Sequence, residues 1–510
     1  IVFKASGDTL LESGSRTTAT GTGAGGEIQV LGRRVGLTGD ATVDASGQTK
    51  GGTVLIGGDA HGANDAVPNA TRTFVGSNAS IKADAIERGD GGKVIVWADD
   101  RTQAYGTISA KGGAQSGDGG FVEVSGKRQL DFHAKVDVSA PAGQGGTLLL
   151  DPASITIVGG TGDGASDGTA TFQGGSTPGQ ALFADSDITS AGVSNIYQSE
   201  LEGLSGGTHI VLEATDLISA TGAFNGNQIT LPTNSNLTLR TRNASTDGSG
   251  TIGIDLVTGV TGALTIAASG TGTMTIQTGV GSSPQAAAIK LPGLVTQGGT
   301  INVSGSGDVT LGSITTNGGN IDLTGGKMML QAAVNAGSGD VAIRGLSGVS
   351  FDLGSTTDAQ SNRIELSDTE LNRITAARLS LIGQGSGSID VTAPITPANV
   401  GALVLTSPGL ISGTGPITVS DLTVNAGAGI SLTTATQNLT ATNSGAASDI
   451  VIFNTGTLTL NNVAQTTPGA AGNISIDNIG DLTIASGQTV STKSGPISVI
   501  AHGAMTVDGT

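Results

Sequence analysis

Gly91-Gly92-Lys93-Val94-Ile95-Val96 is the stretch of sequence from which the fold can be read. Two glycines precede four mostly aliphatic residues, and this arrangement occurs five times in the first 150 residues. The other copies are Gly25-Gly26-Glu27-Ile28-Gln29-Val30, Gly51-Gly52-Thr53-Val54-Leu55-Ile56, Gly119-Gly120-Phe121-Val122-Glu123-Val124 and Gly145-Gly146-Thr147-Leu148-Leu149-Leu150. The second glycines of successive copies lie 26, 40, 28 and 26 residues apart. Such a period is typical of repeat architectures, in which each repeat packs on the next.

A second short apolar segment lies between successive copies. It reads Val43-Asp44-Ala45, Ile81-Lys82-Ala83, Ile108-Ser109-Ala110 and Val136-Asp137-Val138. The 40-residue step also contains a polar insertion from Gly57 to Thr73, which we interpret as a surface loop. Alternation over three to five residues, interrupted by Gly, Asn, Asp and Ser, predicts short strands and tight turns. Nothing between the strands is long enough for a crossover helix, so the strands are expected to stack as coils of a parallel β-helix.

The second half keeps the alternation with a shorter coil. Ile301-Asn302-Val303, Ile321-Asp322-Leu323 and Val341-Ala342-Ile343 follow one another at steps of 20 residues. Later segments of the same kind are Ile417-Thr418-Val419, Leu458-Thr459-Leu460, Ile474-Ser475-Ile476, Leu482-Thr483-Ile484 and Ile497-Ser498-Val499. The same architecture is therefore predicted to continue.

The composition agrees with a thin core repeated along an axis. The chain has 510 residues, of which 85 are Gly, and aromatic residues make up 2% against 36% hydrophobic in total. Collagen is excluded because glycine has no period of three and prolines number only 13. Disorder is disfavoured by a charged fraction of 13% and a mean hydropathy of +0.11. A β-sandwich would need hairpin turns and larger aromatic side chains in its core. The sequence thus predicts an all-β solenoid, one elongated rod with small helical and loop decorations.

Two segments depart from the repeat and divide the chain into three predicted parts. Residues 1–158 carry coils of 26–28 residues, 159–207 form an irregular insertion, and 208–510 carry coils of about 20 residues. Within the insertion, Ile196, Leu201 and Leu204 fall near one helical face and predict a short helix. A second short helix is predicted over 367–374, behind Ser and Asp cap candidates.

Charge and residue usage exclude several classes of partner. The chain has 23 Lys and Arg against 41 Asp and Glu, a net charge of −18, so nucleic acid and anionic lipid are poor partners. It has no cysteine, which excludes disulfides and Cys-based metal sites. It also has no run of 18 apolar residues, so we expect no membrane-spanning segment.

The longest run of repeats resembles filamentous-haemagglutinin-type exoproteins. The resemblance rests on Gly89-Asp90-Gly91-Gly92-Lys93-Val94-Ile95-Val96-Trp97-Ala98-Asp99 and on the copies that follow it, ending in Leu148-Leu149-Leu150-Asp151-Pro152-Ala153-Ser154-Ile155-Thr156-Ile157. Thr369-Glu370-Leu371-Asn372-Arg373-Ile374 is similar to a recurrent element of those proteins. The similarity covers about residues 25–160, with shorter matches at 194–215 and 365–392.

This resemblance implies a right-handed β-helix exported by two-partner secretion. The partner would be a dedicated outer-membrane transporter, and the destination the surface or surroundings of a Gram-negative bacterium. The amino-terminal secretion domain of the family, with its Asn-Pro-Asn signatures, is not in this sequence, so no residue can be assigned to transporter recognition. We expect the chain to correspond to the β-helical stalk of such an adhesin.

Catalysis is tested against the predicted stacking, because parallel β-helices also include polysaccharide lyases and hydrolases. Asp44, Lys82, Ser109 and Asp137 form one outward column, which places the two aspartates three rungs, or about 14 Å, apart. A glycosidase pair needs about 5–9.5 Å. The four histidines, His61, His133, His209 and His502, show no spacing typical of a metal site or a triad. We therefore expect no enzyme activity, no cofactor and no metal site.

Two surface features are weak candidates for binding. Arg88-Gly89-Asp90 is an integrin-type tripeptide at a predicted corner and a candidate receptor contact. Leu55, Ile95 and Leu149 occupy outward positions of the Gly-Gly strands and are candidates for self-association. The alternatives are that the chain simply continues into further coils and that the 57–73 loop folds over Leu55 and Ile95.

The expected function is that of a structural rod in a secreted or surface-exposed adhesin or extracellular matrix protein. Such a rod would mediate adhesion or biofilm cohesion and could assemble into filaments. Its partners would be a host-cell receptor, a glycan or neighbouring copies of itself. The alternative is a polysaccharide-binding or polysaccharide-degrading β-helix.

Overall fold

The computed structural model describes residues 1–162, 193–242, 252–280, 286–358, 360, 362–446, 448–468 and 471–508. The chain forms two compact units, unit 1 over residues 1–297 and unit 2 over 298–510. Strands account for 55% of the described residues and helices for 3%. The prediction of an all-β parallel solenoid is confirmed, since every pairing between named strands is parallel in each unit.

Unit 1 winds through three rows of parallel strands, called here its first, second and third faces. The first face has nine strands in the described residues: Val2–Lys4, Glu27–Leu31, Thr53–Ile56, Lys93–Ala98, Phe121–Gly126, Thr147–Leu150, His209–Ala214, Asn236–Thr241 and Met274–Thr278. Ile28 pairs with Val54, Val54 with Val94, and the series continues through Val122 and Leu148. The register is the one that the Gly-Gly repeats predict.

The other two faces of unit 1 follow at each turn of the coil. The second face consists of Asp8–Leu11, Arg34–Leu37, Arg72–Val75, Arg101–Ala104, Gln129–Phe132, Ser154–Val158, Ser194–Tyr197, Leu217–Gly222, Gly253–Val260 and Ala288–Leu291. The third face consists of Arg16–Thr18, Thr42–Asp44, Ser80–Lys82, Thr107–Ser109, Lys135–Asp137, Gln228–Thr230, Thr265–Ala267 and Gly293–Val295. The helical elements in the described part of unit 1 are the 3₁₀ turns Ala60–Gly62 and Asn225–Asn227 and the α-helix Gln198–Glu202.

The glycine pairs mark the places where successive rungs touch. A Cβ added at Gly51 would lie 2.1 Å from the carbonyl oxygen of Ala83, and one at Gly91 would lie 2.1 Å from that of Ala110. Both atoms belong to backbone that cannot move aside, so only glycine fits. The inward side chains that follow, such as Val54 and Val94, have no exposed surface. Close backbone contact and a buried aliphatic column therefore explain the repeat.

Unit 2 has the same parallel construction with shorter coils. Its strands are Ile301–Ser304, Asp308–Leu311, Ile314–Thr315, Ile321–Gly325, Lys327–Leu330, Val334–Asn335, Asp340–Ser347, Ser350–Leu353, Arg363–Leu366, Ile374–Gln384, Ile389–Val391, Val400–Ser407, Ile411–Ala426, Ile430–Asn443, Ile450–Thr455, Leu458–Gln465, Ile474–Ile479, Leu482–Ser491, Ile497–Ala501 and Met505–Val507. Ile301 pairs with Ile321 and Ile321 with Val341, which confirms the predicted steps of 20 residues.

Buried amides form part of the interior of unit 2. Asn454 donates to the side-chain oxygen of Asn478 at 2.7 Å, and Asn443 donates to that of Gln465 at 2.8 Å. All four side chains are fully buried. Each amide is stacked on an amide of the next rung, so these polar groups keep hydrogen-bond partners inside the coil.

One strand in each unit is inserted out of chain order. Ser194–Tyr197 pairs with the earlier strand Ser154–Val158, while the Leu130 N–H donates to Ser194 Oγ at 2.9 Å on its other side. In unit 2, Arg363–Leu366 pairs in the same way with the earlier strand Ser350–Leu353. We call these two segments intercalated strands, because each adds one extra strand to its face.

A short helix follows each intercalated strand, as predicted. These are Gln198–Glu202 in unit 1 and Asp368–Leu371 in unit 2. In each, a glutamate carboxylate accepts the N–H of the residue before the helix, Glu200 from Tyr197 at 2.7 Å and Glu370 from Ser367 at 3.0 Å. Most of the irregular insertion predicted over 159–207 lies at 163–192, outside the described residues.

Candidate functional site

The polar insertion of unit 1 lies across the outward side of its first face. Residues 57–71, called here the covering loop, place Val67 and Ala60 against Leu31, Leu55, Ile95 and Trp97. The four covered side chains are at most 3% exposed. The loop therefore gives this sheet an apolar layer on both sides.

The candidate self-association residues are not on the surface. Leu55, Ile95 and Leu149 are 3%, 0% and 3% exposed. For Leu55 and Ile95 the physical reason is the covering loop, the alternative that the sequence left open. A lateral contact through these side chains is not available in this conformation, and association of the chain by another surface stays a prediction.

Polar groups hold the first part of the covering loop in place. The His61 N–H donates to the two carboxylate oxygens of Glu123 at 3.1 and 3.3 Å, and His61 Nδ1 lies 2.9 Å from Asp151 Oδ2. Near the start of the loop, Asp59 pairs with Lys93 at 2.6 Å. These contacts join the loop to strands of three different rungs.

An arginine completes the cluster around His61. Arg242 Nε lies 2.6 Å from Glu213 Oε1, and the same guanidinium contacts Asp151. We call His61, Glu123, Asp151, Glu213 and Arg242 the loop clasp. Burial raises the pKa of Glu123 to about 7, although His61 opposes this. A hydrogen bond to Asp151 raises the pKa of His61, against the effect of burial.

The loop clasp has a donor set that resembles a metal site, but a cation already occupies it. One ligand atom each from His61, Asp151 and Glu213 lie within 4.8 Å of one another. Arg242 contacts both of these carboxylates. Because the guanidinium supplies the positive charge that a metal ion would bring, the arrangement is a closed salt-bridge network. Linear spacing gave no signal for it, since stacking alone unites residues 90 positions apart.

A second histidine lies between two aromatic rings. The ring of His133 stacks between those of Tyr105 and Tyr197, with centroid distances of 5.5 and 5.9 Å. Its Nδ1 is 2.5 Å from Glu200 Oε1, and its Nε2 is 3.1 Å from Asp131 Oδ1. The carboxylate of Asp131 also accepts a 2.6 Å hydrogen bond from the Tyr105 hydroxyl.

His133 is held as a cation. Burial alone would lower its pKa, but hydrogen bonds to Asp131 and Glu200 outweigh burial and raise it to about 10. Both ring nitrogens of this cation carry protons and donate to carboxylates, so the ring cannot act as a general base at neutral pH. Its role in this geometry is to fix the helix Gln198–Glu202 to the second face.

A groove of about 520 Å³ opens beside this histidine. It is bounded by the third-face residues 107–109 and 133–137 on one side and by 199–205 on the other. Pockets that bind ligands commonly have volumes of about 300–1,000 Å³. The groove is therefore a candidate binding site in unit 1.

The predicted outward column stacks as expected. Asp44 pairs with Lys82, Lys82 with Ser109, and Ser109 with Asp137. Each aspartate also accepts a local N–H, Asp44 from Ser46 at 2.9 Å and Asp137 from Ser139 at 3.0 Å. The two carboxylates are three rungs apart and shape their own turns, so this column offers no paired acid and base.

The Arg88-Gly89-Asp90 tripeptide lies at an exposed corner between rungs. Gly89 has a φ of +81°, and a Cβ there would lie 1.9 Å from the carbonyl oxygen of Thr49. Asp90 Oδ1 accepts the N–H of Asp118 at 2.9 Å. Packing between rungs thus explains the glycine and the aspartate, and receptor binding by the tripeptide stays a prediction.

No family model matches the chain, and a search of the curated proteins finds no match. Within the described residues, no helix has the length and apolar character needed to cross a membrane.

Proposed function

We propose that this chain is a structural rod segment of a secreted or surface-exposed bacterial adhesin or extracellular matrix protein. The observation that carries the proposal is the first face of unit 1, in which stacked strands keep one register from Glu27–Leu31 to Asn236–Thr241. Ladders of this kind pair the backbone along the whole axis and give a stiff element of small cross-section. Stiffness and reach are the properties that an adhesin stalk needs.

Side chains at the corners add bonds between successive rungs. Asp90 accepts the N–H of Asp118, and Asp118 accepts the N–H of Gln144 at 2.8 Å. In unit 2, Asp449 accepts the N–H of Asn473 at 2.7 Å. These bonds resist separation of rungs along the coil axis. They support a role in which the chain carries mechanical load.

We place the protein at the surface of a Gram-negative bacterium, delivered by an outer-membrane two-partner-secretion transporter. The support is the resemblance of residues 25–160 to filamentous-haemagglutinin-type exoproteins. The partners in this proposal are a host-cell receptor, a glycan or neighbouring copies. A net charge of −18 favours solubility and disfavours nucleic acid as a partner.

We further propose that the rod is not an enzyme. The support is that the loop clasp and the His133 network bind their charged groups to one another. Asp151 and Glu213 contact the Arg242 guanidinium. Asp131 and Glu200 contact the His133 imidazolium. A catalytic carboxylate would have to exchange protons with a substrate, which this arrangement opposes.

The proposal is tested by displaying the full chain on non-adherent Gram-negative cells. Adhesion to host cells and cell–cell cohesion should rise several-fold over cells displaying a Val122→Pro variant, in which the first-face ladder is broken. The same material is incubated with acidic polysaccharides. Unchanged adhesion and cohesion would refute the structural role, and turnover of a polysaccharide would establish the enzymatic alternative.

A further inference from the structure

Within the residues that the structure describes, the third-face strand Lys135–Asp137 is paired along one edge only. The Lys135 N–H donates to Gly106 O at 2.9 Å, and the Ala110 N–H donates to Asp137 O at 3.0 Å. Successive residues of a parallel strand direct their main-chain groups to opposite sides. The N–H and C=O of Val136 therefore point away from the strand Thr107–Ser109, towards the groove.

A helix, not a strand, lies on the open side. The next strand of this face along the chain is Gln228–Thr230, and the helix Gln198–Glu202 lies between the two. On the side of the helix that faces Gln228–Thr230, helix side chains make the hydrogen bonds that a neighbouring strand would otherwise make. Gln198 Nε2 donates to the carbonyl oxygen of Gln228 at 2.7 Å, and Glu202 Oε1 accepts the N–H of Thr230 at 2.9 Å.

On the side of the helix that faces Lys135–Asp137, no helix side chain among the described residues makes such hydrogen bonds. In the part of the chain that the structure describes, no group hydrogen-bonds the main chain of Val136 across the groove. The side chains of Ala134 and Val136 are only 6% and 5% exposed, so this edge lies at the bottom of a concave site. Buried N–H and C=O groups are nearly always paired in proteins. An unpaired edge in a groove of 520 Å³ thus points to a ligand with main-chain donors and acceptors.

We propose that this groove binds an extended segment of a partner protein, which adds as a strand along Lys135–Asp137. Strand addition to an exposed edge is a general mode of peptide recognition. Lys135 is exposed at the rim and forms no ion pair within the described residues. Its charge favours a segment with a carboxylate beside the pairing residue.

The groove walls distinguish a peptide from a sugar. Ala134, Val136 and Leu204 contribute small apolar surfaces that suit alternate side chains of a strand. His133 and Glu200 are already bonded to each other at 2.5 Å, which leaves them less able to bind hydroxyl groups. A polysaccharide ligand is the other outcome that the experiment can reveal.

The first test uses amide hydrogen exchange on the full chain. The Val136 amide should exchange at least tenfold faster than the Ile108 amide, which lies in the same face and is bonded to the next strand. Addition of an N-acetylated, C-amidated Thr-Val-Glu-Val-Thr peptide at saturation should slow exchange at Val136 at least tenfold. Protection of Val136 in the free chain equal to that of Ile108 would overturn the proposal, because the edge would already be paired.

The second test uses variants and a matched peptide. Val136→Pro removes the groove-facing donor and none of the hydrogen bonds to Thr107–Ser109. It should reduce peptide affinity at least tenfold with the β signal in circular dichroism retained. Lys135→Glu, which leaves the strand intact, should reduce affinity about threefold or more. The same peptide with a methyl group on the backbone nitrogen of its glutamate should bind at least tenfold more weakly. Equal binding of both peptides, or displacement of the peptide by an acidic oligosaccharide, would refute strand addition.

Discussion

The two intercalated strands are built alike, but the strand ladder next to the helix is interrupted in unit 1 and continuous in unit 2. In unit 1 the helix Gln198–Glu202 stands where a third-face strand would lie, and a groove remains. In unit 2 the chain passes from the helix Asp368–Leu371 directly into the strand Ile374–Gln384, in which Ile374 pairs with Val334. An intercalated strand followed by a short helix thus interrupts the strand ladder in unit 1 and leaves the ladder in unit 2 continuous. What decides the outcome is the segment after the helix.

Different ion pairs hold the intercalated strand and its helix in the two units. In unit 1, His133 joins Glu200 of the helix to Asp131 of the second face. In unit 2, Arg363 of the intercalated strand binds Asp352 at 3.1 Å and Asp390 at 3.0 Å on the strands that follow it in the sheet. A stacked imidazolium titrates and a guanidinium does not. The ion pairs of His133 and those of Arg363 should therefore respond differently to pH.

The largest expected effect is the loss of the leucine that anchors each helix. Leu371 is 0% exposed and Leu201 is 2% exposed. Leu371→Ala should lower the free energy of unfolding by about 2–5 kcal/mol, and Leu201→Ala by less, because atoms beside the groove can move into the cavity. Denaturant unfolding of both variants measures the difference. Equal losses of unfolding free energy in the two variants would show that atoms beside the groove do not move into the cavity.

The next effect is a pH dependence confined to unit 1. His133 has a folded-state pKa of about 10, raised from 6.5. Its proton therefore stabilises the fold fully below about pH 6.5, and this stabilisation is lost as the pH rises through about 10. The stability difference between the native chain and a His133→Phe variant, which keeps the ring stacking, should shrink between pH 8 and 11.

Two results would contradict this account of His133. One is a stability difference that stays constant between pH 8 and 11. The other is an imidazole titration near pH 6.5, followed by nuclear magnetic resonance. The matched control is Arg363→Met in unit 2, whose effect should not change over the same range, because the guanidinium remains charged.

A smaller loss is expected from Arg363→Met itself at neutral pH. It leaves Asp352 and Asp390 without their shared cation and should cost about 1–2 kcal/mol, since the three groups are partly exposed. Arg378→Met is the control, because Arg378 pairs with Asp340 at 3.7 Å and both side chains are well exposed. That change should cost no more than about 0.5 kcal/mol. Similar losses for the two variants in denaturant unfolding would contradict the comparison.

The smallest effect concerns the start of each helix. Ser367 Oγ accepts the N–H of Glu370, whereas the residue before the unit 1 helix is Tyr197, which lacks the short side-chain oxygen of a typical N-cap residue. Ser367→Ala should cost about 1 kcal/mol, and Tyr197→Phe should leave helix protection unchanged. Amide exchange over 198–202 and 368–371 measures both. Loss of protection at 198–202 in Tyr197→Phe would show that the tyrosine caps its helix.

The sequence predicts the coils because their determinants are local. Gly51 and Gly91 must be glycine where rungs touch, and the aliphatic residues that follow must point inward, so period and register can be read together. The two short helices were also predictable from their apolar spacing and caps. These features depend on residues within one rung and its neighbour.

Contacts between distant rungs could not be predicted in the same way. His61 reaches Asp151 only because the covering loop crosses the first face. Ser194–Tyr197 lies before Ser154–Val158 in its sheet, an order that periodicity does not encode. The groove at Val136 follows from that order. The path of an insertion depends on how all of its residues pack against distant rungs. The alternation of residues within one strand does not predict that packing.

The order of strands around Ser194–Tyr197 is the central claim, and disulfide formation tests it directly because the chain has no cysteine. In the structure Thr156 pairs with Ser219, and their hydroxyls are 3.0 Å apart, whereas Asn195 lies on the other side of Thr156. Neighbouring strands are about 4.8 Å apart, within the Cα range of a disulfide.

Thr156→Cys combined with Ser219→Cys should therefore form a disulfide in the folded full-length chain, and Asn195→Cys combined with Ser219→Cys should not. The opposite result would place Ser194–Tyr197 in chain order between the other two strands. It would contradict the intercalated strand and remove the open edge at Val136.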